Sequence, residues 1–150
     1  MLVERLVRMT GCGTASVLVL LGLLHIYWAA GGAAGSTVVL PERAGRPLFQ
    51  PTPTSTLGVA GGLFAAALLV LARLSVVCDC VPVRWTRLGT WLLAAVFTLR
   101  AIGDFRYVGL FKRVRDTPFG RWDTRLYTPL CLLLALGSAI VAAAAPARRT

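Results

Sequence analysis

The chain has 150 residues, of which 57% are hydrophobic and 15% charged, and its formal net charge is +10. Soluble domains contain about 45–50% apolar and about 25% charged residues, so this composition argues against an ordinary soluble domain and for a membrane protein. The lysines and arginines fall mostly in loops and at segment ends, which favours contact with membrane lipid headgroups over a nucleic-acid partner. No shift in composition divides the chain, so we expect a single integral membrane domain over residues 1–150.

Four mostly apolar segments come close to the roughly 20 residues that a bilayer-spanning helix needs. Helices are expected, because the bilayer core holds no water and a helix satisfies its own backbone hydrogen bonds. The predicted fold class is therefore an all-α membrane protein. It is a bundle of four transmembrane helices at about residues 10–30, 56–77, 88–108 and 128–145. In the last segment, Thr128 suits the N-cap and Pro129 the first helical position.

The first segment has a second interpretation as a secretory signal, because Arg5 and Arg8 precede it and small residues follow it. Its long apolar run ends in the bulky stretch HIYW, which favours an uncleaved helix. Four spans would place both termini on one side of a cell membrane. Lysines and arginines are divided almost evenly between the two sides, so the positive-inside rule specifies orientation weakly. Arg5 and Arg8 slightly favour cytoplasmic termini, and insertion in both orientations stays open.

Charged residues interrupt the third apolar segment. Arg100 and Asp104 are four residues apart, which on a helix places them on one face within reach of each other. Pairing would lower the cost of burying them, which for a lone charge at mid-bilayer is at least about 2.5–3.5 kcal/mol. The pair is either a structural ion pair or part of a polar pocket near one membrane face.

His25 lies late in the first segment, on the same predicted side of the membrane as Asp104. An unperturbed imidazole titrates near pH 6.5, so His25 could relay a proton, although a packing role is equally consistent with its position. The loop before the fourth span mixes arginines and a lysine with aromatic residues, which is typical of a segment lying on headgroups. The predicted ligand-binding residues are His25, Arg100, Asp104, Tyr107 and Asp123.

The four cysteines form no strong motif. Cys78 and Cys80 form a C-x-C at a membrane edge, with Cys12 on the same side and Cys131 on the other. They cannot converge with His25 on a tetrahedral zinc ion, so we predict no metal site, no cofactor and free thiols.

Three stretches carry a resemblance to a known family: HIYWAAGG, RAIGDFRYVGLFKR and WDTRLYTPLCLLLALG. Through them the chain resembles small bacterial four-helix membrane proteins catalogued as a domain of unknown function. The resemblance spans nearly the whole chain and implies a four-span fold with these polar stretches on one side. It implies no catalytic role for any residue.

These observations leave several functions open. One is a non-catalytic protein that binds a lipid-like or small amphipathic ligand at the polar pocket. Another is a membrane enzyme of the isomerase or cyclase type, with His25 as general acid or base and Asp104 stabilising positive charge. A small transporter built from oppositely inserted copies and a structural subunit of unknown oligomeric state are further alternatives.

Overall fold

A computed structural model describes residues 1–35, 40–43, 46–48, 50–76 and 81–144. All the long elements are helices: α1 (Leu2–Ala29), α2 (Pro53–Arg73), α3 (Val83–Ile102), α4 (Pro118–Trp122) and α5 (Thr128–Ala143). A π-helical turn, Asp123–Tyr127, joins α4 to α5, so that Pro118–Ala143 is one continuous helix. Two strands, β1 (Glu42–Arg43) and β2 (Arg46–Pro47), form an antiparallel pair between α1 and α2.

Local capping chemistry sets the ends of α1 and α2. At the end of α1, Gly31 adopts a φ of +94°, and the amides of Gly31 and Gly32 bond the carbonyls of Trp28 and Tyr27. This is a Schellman motif, for which glycine is the favoured residue. α2 begins where the Thr52 hydroxyl accepts the amide of Ser55 and Pro53 occupies the first turn. The predicted limits of about 10–30 and 56–77 are corrected by the structure. α1 begins at Leu2 and α2 at Pro53, both before their apolar runs, and α2 ends at Arg73.

The four long helices form an antiparallel bundle. Positions near Gly11 in α1 meet the end of both α2 and α5, since a Cβ there would contact Leu74 and Val141. α1 packs mainly on α2, and α3 packs mainly on α5. Smaller contacts between α1 and α5 and between α2 and α3 join these two pairs into one bundle. The buried core is made of small and medium side chains. Its members are Ala15, Leu18, Ala66, Ala67, Val70, Leu134 and Val141.

Many large apolar side chains lie on the outside of this bundle, and most of the buried side chains are small or hydroxylated. Leu20, Leu68 and Leu133 are each more than half exposed, whereas Thr90 and Ser138 are completely buried. A bundle in water would expose few such contiguous apolar surfaces, whereas membrane helices pack through small residues and face lipid with large ones. The arrangement is therefore that of helices suited to an apolar solvent.

Within the described residues, three helices are long and apolar enough to cross a membrane: Leu2–Ala29, Pro53–Arg73 and Pro118–Ala143. This agrees with three of the four predicted spans and is consistent with a membrane protein. The third predicted span corresponds to α3, which carries Arg84, Arg87 and Arg100 and is not among these three. The helix itself is present, but its limits differ from the predicted 88–108, because α3 spans Val83–Ile102 and Gly103 turns the chain with a φ of +86°.

The predicted start of the last span at Thr128 was wrong for a different reason. Thr128 does not cap a helix, since helical backbone precedes it from Pro118 onwards. Pro129 would remove a backbone donor from a regular helix, and its ring would clash with the carbonyl four residues earlier. The π turn immediately before Pro129 widens the helix at this point, which accounts for a proline inside a continuous helix.

Candidate functional site

The chain reverses sharply after α3 and returns alongside its last turn. Gly103 and Gly109 both have positive φ values, +86° and +88°, and their backbones touch. A Cβ on Gly109 would stand 2.5 Å from the carbonyl oxygen of Ile102. The amide of Leu110 then bonds the carbonyl of Ala101 at 2.8 Å. Only glycine fits such a crossing at positive φ, so the two glycines fix this loop against the end of α3.

Asp104 organises the inside of that loop and does not pair with Arg100. Its Oδ1 accepts the amides of Arg106, Tyr107 and Val108 at 2.7–2.9 Å. The predicted ion pair was wrong because the helix ends at Ile102, so the four-residue helical spacing does not apply. Desolvation raises the pKa of the Asp104 carboxyl, but the three amide donors outweigh it and hold the pKa below its ordinary value.

Arg100 pairs instead with Asp123, the most thoroughly buried carboxylate in the described residues. Arg100 Nη2 lies 3.0 Å from Asp123 Oδ1, and Lys112 Nζ lies 2.9 Å from Oδ2. Oδ2 also accepts the amide of Gly109 at 2.9 Å and the hydroxyl of Thr128 at 3.1 Å. A carboxylate offers about four acceptor positions, and Asp123 accepts four hydrogen bonds, three of them at Oδ2. We call Asp123 and these four partners the Asp123 cluster.

The π turn aligns two members of this cluster. The amide of Thr128 bonds the carbonyl of Asp123, five residues earlier. A regular helix stacks residues that are three or four apart, whereas this wider turn brings the side chains of Asp123 and Thr128 together. The cluster thereby connects α3, the loop after it and the start of α5.

The cluster contains two cations and one carboxylate, so it keeps one net positive charge. Lys112 is buried with its side chain 2% exposed, and it also donates to the carbonyl of Gly109. The Arg100 side chain is 35% exposed, yet its Nη1 atom is buried and has no hydrogen-bond partner within the described part of the chain. An unpaired buried donor costs about 1–3 kcal/mol, so Nη1 is the unsatisfied position of the cluster.

The remaining predicted site residues stand apart from this cluster. His25 Nδ1 lies 2.7 Å from the carbonyl of Leu21, and its ring meets Trp28 edge-on, so both contacts are within α1. Trp28 in turn donates to the carbonyl of Ala34 and holds the loop that follows α1. Tyr107 is half-buried in the loop after α3, beneath the guanidinium of Arg106. Of the predicted set, the structure brings together Arg100 and Asp123.

Sequence reasoning missed Gly109, Lys112 and Thr128. Lys112 stands in the run LFKRVR, and the sequence does not distinguish it from the cations beside it. In the structure Lys112 is buried, whereas Arg113 and Arg115 are exposed. Its partner Asp123 is 11 residues away across a loop, so no helical spacing reveals the pair. The available signal was the resemblance itself, since the second and third resembling stretches contain the whole cluster.

The thiols and possible metal ligands give no second centre in the described ranges. Cys12 is exposed and Cys131 is half-buried, and both are free thiols. Cys78 and Cys80, the predicted C-x-C, lie outside the described residues. No group of three histidine, cysteine, aspartate or glutamate side chains is placed to hold a metal ion in that part of the chain.

Comparison with known proteins identifies the chain by family. A family model described as "Protein of unknown function (DUF3995)" matches residues 3–138, which is most of the chain, so the protein belongs to that family. Searches of curated proteins and of solved structures gave no match.

Proposed function

We propose that this member of the DUF3995 family is a non-catalytic integral membrane protein that binds the polar head of a lipid-like or small amphipathic molecule. The binding position is Arg100, at the end of the bundle where the Asp123 cluster lies. The single observation that carries the proposal is the buried, unpartnered Nη1 of Arg100 within a cluster of net positive charge.

The proposal includes a fourth membrane crossing by α3. Its outward side chains are large and apolar, with Leu88, Leu92 and Leu99 each more than half exposed. Its 20 residues extend about 30 Å at 1.5 Å per residue, which equals the thickness of the hydrocarbon core. Arg84 and Arg87 lie at one end and Arg100 at the other, where long side chains reach the interface. This supports the four-span bundle expected from the sequence.

An anionic or hydrogen-bond-accepting headgroup fits the chemistry at Arg100. Nη2 is already held by Asp123, which fixes the plane of the guanidinium and leaves Nη1 to donate to a second oxygen partner. Arginine presents its donors in a planar fork that suits carboxylate or phosphate oxygens. The Arg100 side chain is 35% exposed and so reaches the bundle surface, where the ligand's apolar tail would lie against Leu99. Asp123 therefore acts as a positioning residue for Arg100.

The geometry favours binding over the enzyme and transporter alternatives. The enzyme hypothesis needs Asp104 to face a substrate, whereas three backbone amides occupy one of its oxygens. The transporter hypothesis needs a carboxylate that exchanges protons, whereas two cations hold Asp123 as a carboxylate.

Native mass spectrometry of protein purified in mild detergent tests the proposal. We expect the wild-type chain to retain one small amphiphile per protein and the Arg100→Gln variant to lose it. Arg100→Lys should retain it weakly, because a lysine offers a point charge without the fork. Arg84→Gln is the matched control, since Arg84 is an exposed arginine at the other end of α3. Equal retention by wild type and Arg100→Gln, with both variants folded, would refute binding at Arg100.

A further inference from the structure

The loop after α3 and the start of the last helix present a second, exposed surface that the Asp123 cluster does not use. Five arginines on it are exposed, and several large apolar side chains lie among them. We call this the basic loop surface. Its arginines are Arg106, Arg113, Arg115, Arg121 and Arg125, and its apolar members are Phe105, Leu110, Phe111 and Trp122.

From this surface we infer a contact with the headgroups of anionic phospholipids in the same membrane. The inference rests on the proposed membrane location of the bundle. Arg100 lies in the last turn of α3, and the loop begins at Gly103, three residues later. The surface therefore lies where headgroups would be.

The charge of the surface favours anionic lipid over neutral lipid. Against its five arginines stand two exposed carboxylates, Asp104 and Asp116, and Asp104 is already occupied by backbone amides. Each cation close to an anionic membrane surface increases binding about five-fold. The arginines therefore supply a preference that a neutral headgroup cannot match.

The exposed aromatic residues favour an interface over open water. Phe105 and Phe111 stack with their ring centroids 6.1 Å apart, and they are 59% and 60% exposed. Trp122 is 48% exposed on the adjoining helix. Cations interleaved with such rings are typical of segments that lie on headgroups and insert apolar groups between them.

The surface is also held in place before any lipid arrives. The amides of Arg113 and Val114 bond the carbonyl of Arg106, which brings the two arms of the loop together. Arg115 Nε donates to the carbonyl of Lys112 at 3.2 Å, and Lys112 is anchored by Asp123. In the run LFKRVR, Lys112 therefore points into the protein while Phe111 and Arg113 point out. A fixed surface loses less conformational freedom on binding lipid than a flexible one.

The test compares lipid preference in mixed micelles of phosphatidylglycerol and phosphatidylcholine, measured by native mass spectrometry of the full chain. We expect wild type to prefer phosphatidylglycerol, with the preference falling as salt is raised. The triple variant Arg113→Gln, Arg121→Gln, Arg125→Gln should lose most of it, because each side chain contributes a factor of about five. The triple change to lysine should keep it, which separates loss of charge from loss of folding.

A matched control removes three exposed arginines from the opposite end of the bundle: Arg5→Gln, Arg8→Gln and Arg87→Gln. An equal loss of preference in this control would overturn the inference, because net charge and not the basic loop surface would then be responsible. Equal uptake of both lipids by wild type would overturn it as well. Tighter binding of RNA than of phosphatidylglycerol would also overturn it, because the basic loop surface would then fit a nucleic-acid partner better than a membrane. Failure of the chain to enter bilayers would refute the proposed membrane location instead.

Discussion

Two aspartates near the end of α3 perform different tasks because their partners differ. Asp104 is exposed and accepts three amides of its own loop, whereas Asp123 is buried and accepts from two cations, an amide and a hydroxyl. The first carboxylate shapes a local turn that water can reach. The second joins segments that are distant in sequence, and its burial makes every partner more important for folding.

Asp123→Asn should destabilise the fold by about 3–5 kcal/mol, because it leaves the buried Lys112 ammonium without a counter-charge. The measurement is unfolding of the purified chain in mixed micelles, with the exposed carboxylate Asp116→Asn as the control. Adding Lys112→Met to Asp123→Asn should recover part of the loss. If Asp123→Asn and Asp116→Asn unfolded at the same denaturant concentration, the Asp123 cluster would not be an important element of stability.

Asp104 should make the loop after α3 sensitive to acid. Its pKa is lowered in the folded protein, so its stabilising contribution is present above the ordinary aspartate value and is lost as the pH falls through the lowered one. The amide chemical shifts of Arg106, Tyr107 and Val108 should titrate together, with a midpoint below about 3.9. Asp104→Asn should abolish this titration. A midpoint at or above the ordinary value would contradict the assigned hydrogen bonds.

At the scale of elements, the architecture depends on the places where helices end or change register. Ser75 ends α2 with a φ of +55°, and the amides of Ser75 and Val76 bond the carbonyls of Ala72 and Leu71. α3 ends at Gly103 in a loop that crosses its own backbone at Gly109. The π turn Asp123–Tyr127 shifts the register of the last helix. The last two of these position the end of the bundle that holds the Asp123 cluster, and Ser75 lies at the opposite end.

Gly109→Ala should destabilise the protein by about 1–3 kcal/mol, since alanine there combines a positive φ with a backbone overlap at Ile102. Gly58→Ala is the matched control. A Cβ at Gly58 meets nothing within 4 Å, and alanine favours a helix over glycine by up to about 1 kcal/mol. Thermal unfolding of both variants in detergent gives the comparison. A Gly109→Ala protein as stable as wild type would show that the crossing is unimportant.

Hydropathy and length were sufficient to predict the number and approximate position of the long helices. They could not place the helix ends, because those depend on capping bonds such as Thr52 to Ser55 and on positive φ values such as that of Gly103. The sequence singled out Arg100 and Asp123 as polar residues near one membrane face. Their pairing was not predictable, because it depends on the return of the loop after α3 and on a π turn. Helical spacing instead indicated Asp104, which lies beyond the end of the helix.

At the scale of the whole molecule, the bundle has an apolar outer surface and arginines at both ends. Small side chains allow the helices to approach, as where Gly22 lies against the ring of Phe64. The end opposite the Asp123 cluster contains a buried arginine, Arg73, whose guanidinium donates to the carbonyl of Ala144 and so ties α2 to α5. A cation beside a helix C-terminus is electrostatically favourable. Both ends are therefore closed by arginines that bridge between helices.

Four crossings predict that residues 81 and 116 lie on opposite sides of the membrane, because α3 alone separates them. Single cysteines introduced as Val81→Cys and Asp116→Cys, both at exposed positions, can be labelled with an impermeant maleimide after the four native cysteines are replaced. We expect one of the two to react from outside intact cells and the other only after lysis. Reaction of both from the same side would mean that α3 does not cross.

The occupancy of Arg100 tests the central claim most directly. An experimental structure of the wild-type chain in a lipid nanodisc, at a resolution that shows bound molecules, would reveal what lies beside Nη1. We predict an oxygen of a lipid-like or small amphipathic molecule within hydrogen-bonding distance of Nη1, with Nη2 still bonded to Asp123. A water molecule or a protein oxygen in that position, with no amphiphile near Arg100, would contradict the proposed binding function.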